Sequence, residues 1–192
     1  MVFVLTEDQQ MIRENVLRIC ADFGDDYWLA RDEDGRFPED FCLALAEAGY
    51  LGIAMPEEFG GSGLGITEAA VMVQAISESG AANGGVSSVS INVFGVNPIV
   101  RYGTDEQKQR WLPPVMRREE RACFAVTEPD AGLDTTRLST RAVRDGDKYL
   151  IHGQKIWTTT AQVADKIMLI ARTSPINETD SPIDGLSLFY AD

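Results

Sequence analysis

Three short segments hold residues that could bind a cofactor, and the first is a glycine cluster. Residues 60–65 have the composition of a phosphate-binding loop, in which backbone N–H groups bind oxyanions. No convincing strand precedes them and no βαβ pattern surrounds them. A flexible connection between two helices is therefore the favoured interpretation, with a nucleotide-binding loop as the alternative.

The second segment, residues 124–134, runs from an apolar stretch into a turn that contains Pro and Gly. Thr127 stands where the predicted strand ends. Its hydroxyl and the free backbone N–H groups of the turn could bind a pyrophosphate or the edge of a flavin ring. An ordinary turn between strands, capped by Thr127, is the competing interpretation.

The third segment, residues 155–161, places Trp157 directly before three threonines. The indole could pack against an aromatic cofactor while a hydroxyl bonds to a ring nitrogen. A surface strand with a half-buried Trp explains the same residues without a ligand.

Other site chemistries find little support in the sequence. His152 is the only histidine, which excludes most catalytic triads and most zinc sites. The three cysteines are widely spaced and form neither a disulfide framework nor a metal-ligand pair. A reducing, cytoplasmic setting is the prediction from this cysteine usage.

The charge balance excludes further classes of function. Thirty acidic residues against 17 basic ones give a formal net charge of −13. That charge repels nucleic acids and anionic membranes, so no nucleic-acid partner is expected. No apolar run approaches the roughly 20 residues that a membrane span requires.

The elements that would position these segments fall into two parts, helical up to residue 120 and strand-rich from 121. Thr6 with Gln9 and Thr104 with Gln107 form capping-box patterns. A second helix is expected to start at Pro38, with Phe41, Leu45 and Ala48 on one face, and a third to be capped by Thr67. Residues 86–102 are expected to form one buried helix, and the helix that begins at Thr104 is expected to stop at Pro113 and Pro114.

In the second part, short apolar or alternating runs predict strands. Strands are expected at residues 123–127, 148–156, 166–171 and 186–190. A further strand is indicated by the alternation of Leu138, Thr140 and Ala142 with polar neighbours, and it leads to a hairpin turn at Asp145 and Gly146. Residues 174–184 read as a loop. The fold class predicted is α+β.

Four stretches in a fixed order make the sequence resemble the acyl-CoA dehydrogenase family over essentially its whole length. They are residues 51–63, 102–108, 126–132 (Val-Thr-Glu-Pro-Asp-Ala-Gly) and 153–157 (Gly-Gln-Lys-Ile-Trp). The resemblance implies an N-terminal helical domain at 1–120, followed at 121–192 by the start of a middle β-barrel domain. It also assigns residues 60–65 to the surface of the helical domain.

The resemblance further implies that FAD is the cofactor and that five residues bind it. Phe124, Val126 and Thr127 are expected to meet the flavin, with Thr127 bonding to its pyrimidine edge. Trp157 is expected to shield the ring, and Thr159 to lie near the nitrogen that accepts hydride. Donors at the pyrimidine edge matter because reduction places negative charge there.

Two positions depart from the family pattern. Leu133 stands where the family usually has a Ser whose hydroxyl serves FAD or the acyl-CoA phosphates, so this substrate-binding position has no donor. Where the family usually has Trp-Ile-Thr-Asn or Trp-Ile-Thr-Ser, residues 157–160 are Trp-Thr-Thr-Thr, so that the Thr at the third position is retained as Thr159.

The resemblance implies an FAD-dependent α,β-dehydrogenation of an acyl-CoA thioester, with electrons passed to a separate flavoprotein. The general base, a Glu of the C-terminal bundle, has no match here. We expect a fragment whose β domain ends early, and we expect it to bind FAD poorly because strand edges are left unpaired. A homo-oligomer (dimer or tetramer) is expected when complete. An acyl-CoA oxidase or flavin monooxygenase of the same fold, and a non-catalytic subunit of a flavoprotein complex, are the alternatives.

Overall fold

The structure, a computed structural model, describes residues 4–192; residues 1–3 of the predicted helical domain lie outside the described range. The chain divides into two compact units, the first ending at Arg121 and the second comprising Ala122–Asp192. The first is helical and the second is built on a sheet. The predicted α+β class is thus confirmed.

The helical unit contains seven α-helices in its described part. They are α1 (Glu7–Cys20), α2 (Asp25–Asp34), α3 (Glu39–Glu47), α4 (Ile66–Ile76), α5 (Ala82–Ser90), α6 (Asn97–Tyr102) and α7 (Asp105–Met116). The capping boxes predicted at Thr6 and Thr104 begin α1 and α7, where each hydroxyl accepts the backbone N–H three residues later.

Apolar side chains from α1, α3 and α4 form the core of this unit. Val16, Phe41, Leu45, Met72 and Ile76 are fully buried. Residues four apart share one face of a helix, so Phe41 and Leu45 point the same way, as do Met72 and Ile76. Burial of each such side chain stabilises the fold by about 1.5–3 kcal/mol.

The earlier helices differ from the sequence-based expectations in three ways. The helix α2 was not predicted, because its sequence is rich in Asp and Glu and has no buried residue. Ala48 is exposed, since α3 ends before it. Helix α4 begins after Gly65 rather than Thr67, because the Glu68 carboxylate accepts the Gly65 N–H at 3.0 Å.

The later helices differ from prediction at their prolines. The stretch 86–102 is divided between α5, a π-helical turn at Ile91–Gly95 and α6, whose first turn contains Pro98. Pro113 and Pro114 lie inside α7 instead of ending it. The fixed φ of proline suits a helix, and the Pro113 carbonyl still accepts the Arg117 N–H at 3.1 Å.

The β unit contains one five-stranded sheet. Its strands are β1 (Ala122–Ala125), β2 (Arg141–Asp145), β3 (Lys148–His152), β4 (Lys166–Arg172) and β5 (Leu186–Ala191). The central strand is β4, which pairs in parallel with β1 and antiparallel with β5 along its length. A single parallel pairing of Arg141 with Arg172 joins β2 to β4.

The predicted hairpin is present but shorter than expected. Asp145 pairs with Lys148, and Gly146 between them has a φ of 62°. The returning strand ends at His152 instead of continuing to 156. At Gly153 the chain passes so close to Thr140 that a Cβ would lie 2.3 Å from its Oγ1, and the backbone then leaves the ladder.

Candidate functional site

Backbone pairing brings together two of the three segments that could bind a cofactor. Strand β1 ends at Ala125, and the chain then makes a tight turn in which Glu128 and Ala131 exchange N–H···O bonds of 3.0 and 3.2 Å. The Ile156 N–H donates to the Thr127 carbonyl at 2.9 Å. Thr127 therefore accepts a hydrogen bond from the residue that directly precedes Trp157.

A second bond fixes the far end of the later segment. The Thr160 hydroxyl donates to the Ala122 carbonyl at 3.2 Å, and Thr160 itself is buried with a φ of 68°. Residues 156–160 are thus attached to both ends of the β1 region. Left-handed φ values at non-glycine residues are maintained only where surrounding structure enforces them.

A buried ion pair joins the two segments. Lys155 Nζ donates to Glu128 Oε1 at 2.9 Å and to the Val126 carbonyl at 2.9 Å. The other Glu128 oxygen accepts the backbone N–H and the hydroxyl of Ser139, both at 2.7 Å. The Thr140 N–H completes the set, donating to Oε1 at 2.8 Å. Five hydrogen bonds are thus accepted by Val126 and Glu128 in one short turn.

These contacts determine the ionisation of Glu128. Burial alone would raise its pKa, but hydrogen bonds from Thr140, Lys155 and Ser139 outweigh burial and lower the pKa to about 2. Glu128 is therefore a carboxylate at neutral pH. A group so firmly ionised and bonded is suited to holding structure and poorly suited to accepting a proton from a substrate.

The residues predicted to bind a cofactor present groups that the protein itself leaves unused. Trp157 is 86% exposed and has a φ of 56°. Within residues 4–192, the hydroxyls of Thr127 and Thr159 have no hydrogen-bond partner. Phe124 and Val126 are partly exposed beside them in sequence. A large exposed aromatic face near two free hydroxyls has the chemistry that a planar, nitrogen-rich ring requires.

The turn beyond this surface carries Leu133, whose side chain is fully exposed. Asp134 next to it caps the short helical turn Thr135–Arg137 by accepting the Thr136 N–H at 3.2 Å. Leu133 therefore offers an apolar contact and no hydrogen bond at the position where a Ser donor was expected.

The glycine cluster at 60–65 lies in the helical unit, and its backbone is already engaged. The N–H groups of Ser62, Gly63 and Leu64 donate to the carbonyls of residues 52, 55 and 53 at 2.8–3.1 Å. Donors used in this way cannot also bind a phosphate. The alternative of a nucleotide-binding loop is therefore wrong, and the helix-connection interpretation is confirmed.

Sequence reasoning missed the two buried charges that organise this unit. Glu128 and Lys155 were recognised only as members of separate motifs, although each motif contains one partner of the ion pair. Arg172 is buried, with bonds to the carbonyls of Leu138, Pro182 and Thr136 at 2.8–3.1 Å. Its charge directly after the apolar run of residues 167–171 was the available signal.

Two negative findings concern the part of the chain that the structure describes. No group of three or more His, Cys, Asp or Glu side chains is placed to hold a metal ion there. No helix within residues 4–192 combines the length and apolar character needed to cross a bilayer.

Comparison with known proteins gives matches along the whole chain. The model for the acyl-CoA dehydrogenase N-terminal domain matches residues 6–119, and that for the middle domain of the same family matches residues 123–192. The probable acyl-CoA dehydrogenase YngJ of Bacillus subtilis is 33% identical over 186 residues, which cover 97% of this chain and 49% of YngJ.

Solved structures give the same result. A chain in the structure of the electron transferring flavoprotein of Acidaminococcus fermentans superimposes with a TM-score of 0.88 at 33% identity, covering 100% of this chain and 49% of that one. The FAD complex of PigA gives a TM-score of 0.89 at 28% identity, with the same coverage. This chain thus spans about half the length of the proteins it matches.

Proposed function

The chain belongs to the acyl-CoA dehydrogenase family, and from this premise we propose that its β unit binds the flavin of an FAD-dependent enzyme that dehydrogenates acyl-CoA thioesters. The observation that carries the proposal is the pairing of residue 127 with residue 156. It places free hydroxyls and an exposed indole on adjoining segments. The similarity to the FAD complex of PigA supports the choice of cofactor.

We assign the binding roles as the family resemblance implies. Thr127 donates or accepts at the pyrimidine edge, Trp157 covers the ring and excludes water, and Thr159 approaches the hydride-accepting nitrogen. Phe124 and Val126 supply apolar contact. When bound, FAD supplies a two-electron acceptor for hydride from the β-carbon of the substrate. The side chains at 127, 157 and 159 orient that acceptor and keep its surroundings dry.

An acyl-CoA thioester is the substrate class because its carbonyl acidifies the α-carbon, whose proton must leave as the β-carbon is oxidised. Leu133 would contact this substrate without bonding to its phosphates. A separate flavoprotein is the proposed electron acceptor, supported by the similarity to a chain in an electron transferring flavoprotein structure. We predict little turnover from the 192 residues alone, since none of them matches the family's catalytic glutamate.

FAD titration followed by hydrogen exchange tests the cofactor assignment. We expect weak binding by the full 192-residue chain, with slower exchange confined to residues 124–128 and 156–160. Trp157→Ala and Thr127→Val should each raise the dissociation constant about tenfold, as expected for the loss of one stacking or hydrogen-bonding group worth about 1.4 kcal/mol.

A matched control is Tyr149→Ala, which removes another half-exposed aromatic side chain from the same unit, on strand β3. It should leave the dissociation constant unchanged. Protection by FAD elsewhere in the β unit, or equal affinity in all three variants, would contradict the assignment. Peroxide formed from an acyl-CoA and oxygen without an added acceptor would favour an oxidase instead.

A further inference from the structure

The backbone around Trp157 is held in a conformation that tryptophan does not adopt readily. Its φ of 56° lies in the left-handed region, and the residue is 86% exposed, so burial of the indole does not enforce this φ. The restraint must therefore come from the neighbouring residues. Thr160 is bonded to β1 on one side, and Lys155 and Ile156 are bonded to the 126–128 turn on the other.

Thr127 is restrained from both sides as well. The carbonyl before it, of Val126, accepts from Lys155, and its own carbonyl accepts from Ile156. The residue after it, Glu128, is bonded through its side chain to Lys155, Ser139 and Thr140. The hydroxyl of Thr127 makes no hydrogen bond within residues 4–192, and the bonds described above hold the backbone that carries it.

Lys155 bonds to the residues on both sides of Thr127, Val126 and Glu128, and lies two positions from Trp157. Its side chain is 9% exposed and that of Glu128 is 3% exposed. Burial of an ion pair is costly, and apolar replacements of similar volume are often as stable. The pair is therefore weakly explained by stability alone, whereas its position between the two segments matches a role in geometry.

We propose that the Glu128–Lys155 pair is the positioning element of this site: it fixes the Thr127 hydroxyl and the Trp157 indole relative to each other. Neither side chain needs to touch the cofactor. The proposed function supplies the purpose of this arrangement, but the geometric role of the pair can be tested without any cofactor.

The test uses the double variant Glu128→Gln with Lys155→Met in the full chain, because it leaves no unpaired buried charge. Hydrogen exchange is measured first without FAD. We expect the Ile156 N–H and residues 156–160 to exchange at least tenfold faster than in the unmodified chain. Protection of β4 and β5 should persist, which shows that the sheet is still folded. Unchanged exchange at Ile156 would overturn the proposal.

Lys148→Met is the matched control, since it removes an exposed lysine from the same unit. It should change neither the exchange of residues 156–160 nor the protection of β4 and β5. If the double variant does not fold, the milder Lys155→Arg replaces it. This variant keeps the charge but changes the bond geometry, and we expect about threefold faster exchange at Ile156. Exchange equal to that of the unmodified chain would again overturn the proposal.

FAD titration of the same proteins separates the two proposals. The double variant should bind FAD at least tenfold more weakly than the unmodified chain, and equal affinity would refute a positioning role towards the cofactor. Should the unmodified chain itself give no protection by FAD at residues 124–128 and 156–160, the proposed function fails. The exchange rate at Ile156 then decides the geometric role alone.

Discussion

The interiors of the helical unit and the β unit differ in their balance of apolar and charged groups. In the helical unit, apolar side chains of α1, α3 and α4 form a continuous buried cluster, and the buried charged side chain of Arg118 bonds to Glu39. In the smaller β unit, more charged groups lie inside: Glu128 with Lys155, and Arg172 among three carbonyls. Strand β3 is exposed along its whole length. Apolar packing tolerates approximate geometry, whereas a buried charge requires specific partners.

This difference parallels the distribution of the candidate site residues. All of them belong to the β unit, where Lys155 and Ile156 bond to the backbone around Thr127 and the Thr160 hydroxyl bonds to β1 beyond Trp157. The described helical unit supplies none of the proposed flavin ligands. A polar network can therefore fix local geometry, whereas a larger apolar core contributes stability. Four experiments measure how far the two units differ.

The largest effect is expected for Glu128→Ala. It leaves Lys155 buried without a counter-ion and removes acceptors from Ser139 and Thr140, which should cost the β unit about 3–5 kcal/mol of unfolding free energy. Native-state hydrogen exchange of β4 measures this cost. Glu178→Ala, at an exposed position of the same unit, is the control. A loss below about 1 kcal/mol would remove the contrast between the units.

Leu45→Ala should cost the helical unit about 2–5 kcal/mol, because Leu45 is completely buried in α3 and the cavity left behind adds to the lost transfer free energy. Exchange in α1 and α4 reports the loss. Leu43→Ala on the same helix, at a residue that is 40% exposed, should change stability by less than about 0.5 kcal/mol. Equal effects of the two variants would show that α3 does not pack as described.

Acid should weaken the β unit through Glu128. Its folded pKa of about 2 lies below the ordinary 4.5, so ionised Glu128 contributes stability that is complete above pH 4.5 and is lost as pH falls towards 2. The contribution is on the order of 3 kcal/mol. Exchange of β4 between pH 5 and 2.5 measures it. Glu128→Gln should flatten this dependence, and an unchanged slope in that variant would assign the acid sensitivity to other carboxylates.

The smallest effect concerns a helix cap. Thr104→Ala removes the hydroxyl that accepts the Gln107 N–H and should cost the helical unit about 1 kcal/mol. Thr67→Ala is the paired control, since Thr67 lies inside the first turn of α4 and caps nothing. Thermal unfolding compares the two. A larger loss for Thr67→Ala would restore the sequence-based prediction that this residue begins the helix.

The parts of the fold that sequence predicted well depend on local patterns. Capping boxes at Thr6 and Thr104 need only residues three apart, and the hairpin at Gly146 needs a two-residue turn. The predicted start of α4 was wrong because a side-chain contact, and not the capping preference of the residue type, determines where this helix begins. Thr67 is a good cap, but the Glu68 carboxylate reaches Gly65 first.

The candidate site could be predicted only in part. The motifs indicated residues 124–134 and 155–161 separately, and the resemblance assigned roles within them; those roles stay predictions. The contact of Lys155 with Glu128 joins residues 27 positions apart, and no periodicity encodes it. The left-handed φ of Trp157, an exposed aromatic residue, could not be predicted either, because the residue type disfavours it.

Each unit also carries its own thiols: Cys20 and Cys42 in the helical unit and Cys123 in β1, all buried and unpaired. Burial raises the pKa of all three thiols, and that of Cys42 to about 11, so the reactive thiolate is scarce at neutral pH. A thiol reagent therefore modifies a cysteine mainly when its unit opens. One labelling experiment can therefore report the opening of the helical unit through Cys20 and Cys42, and that of the β unit through Cys123.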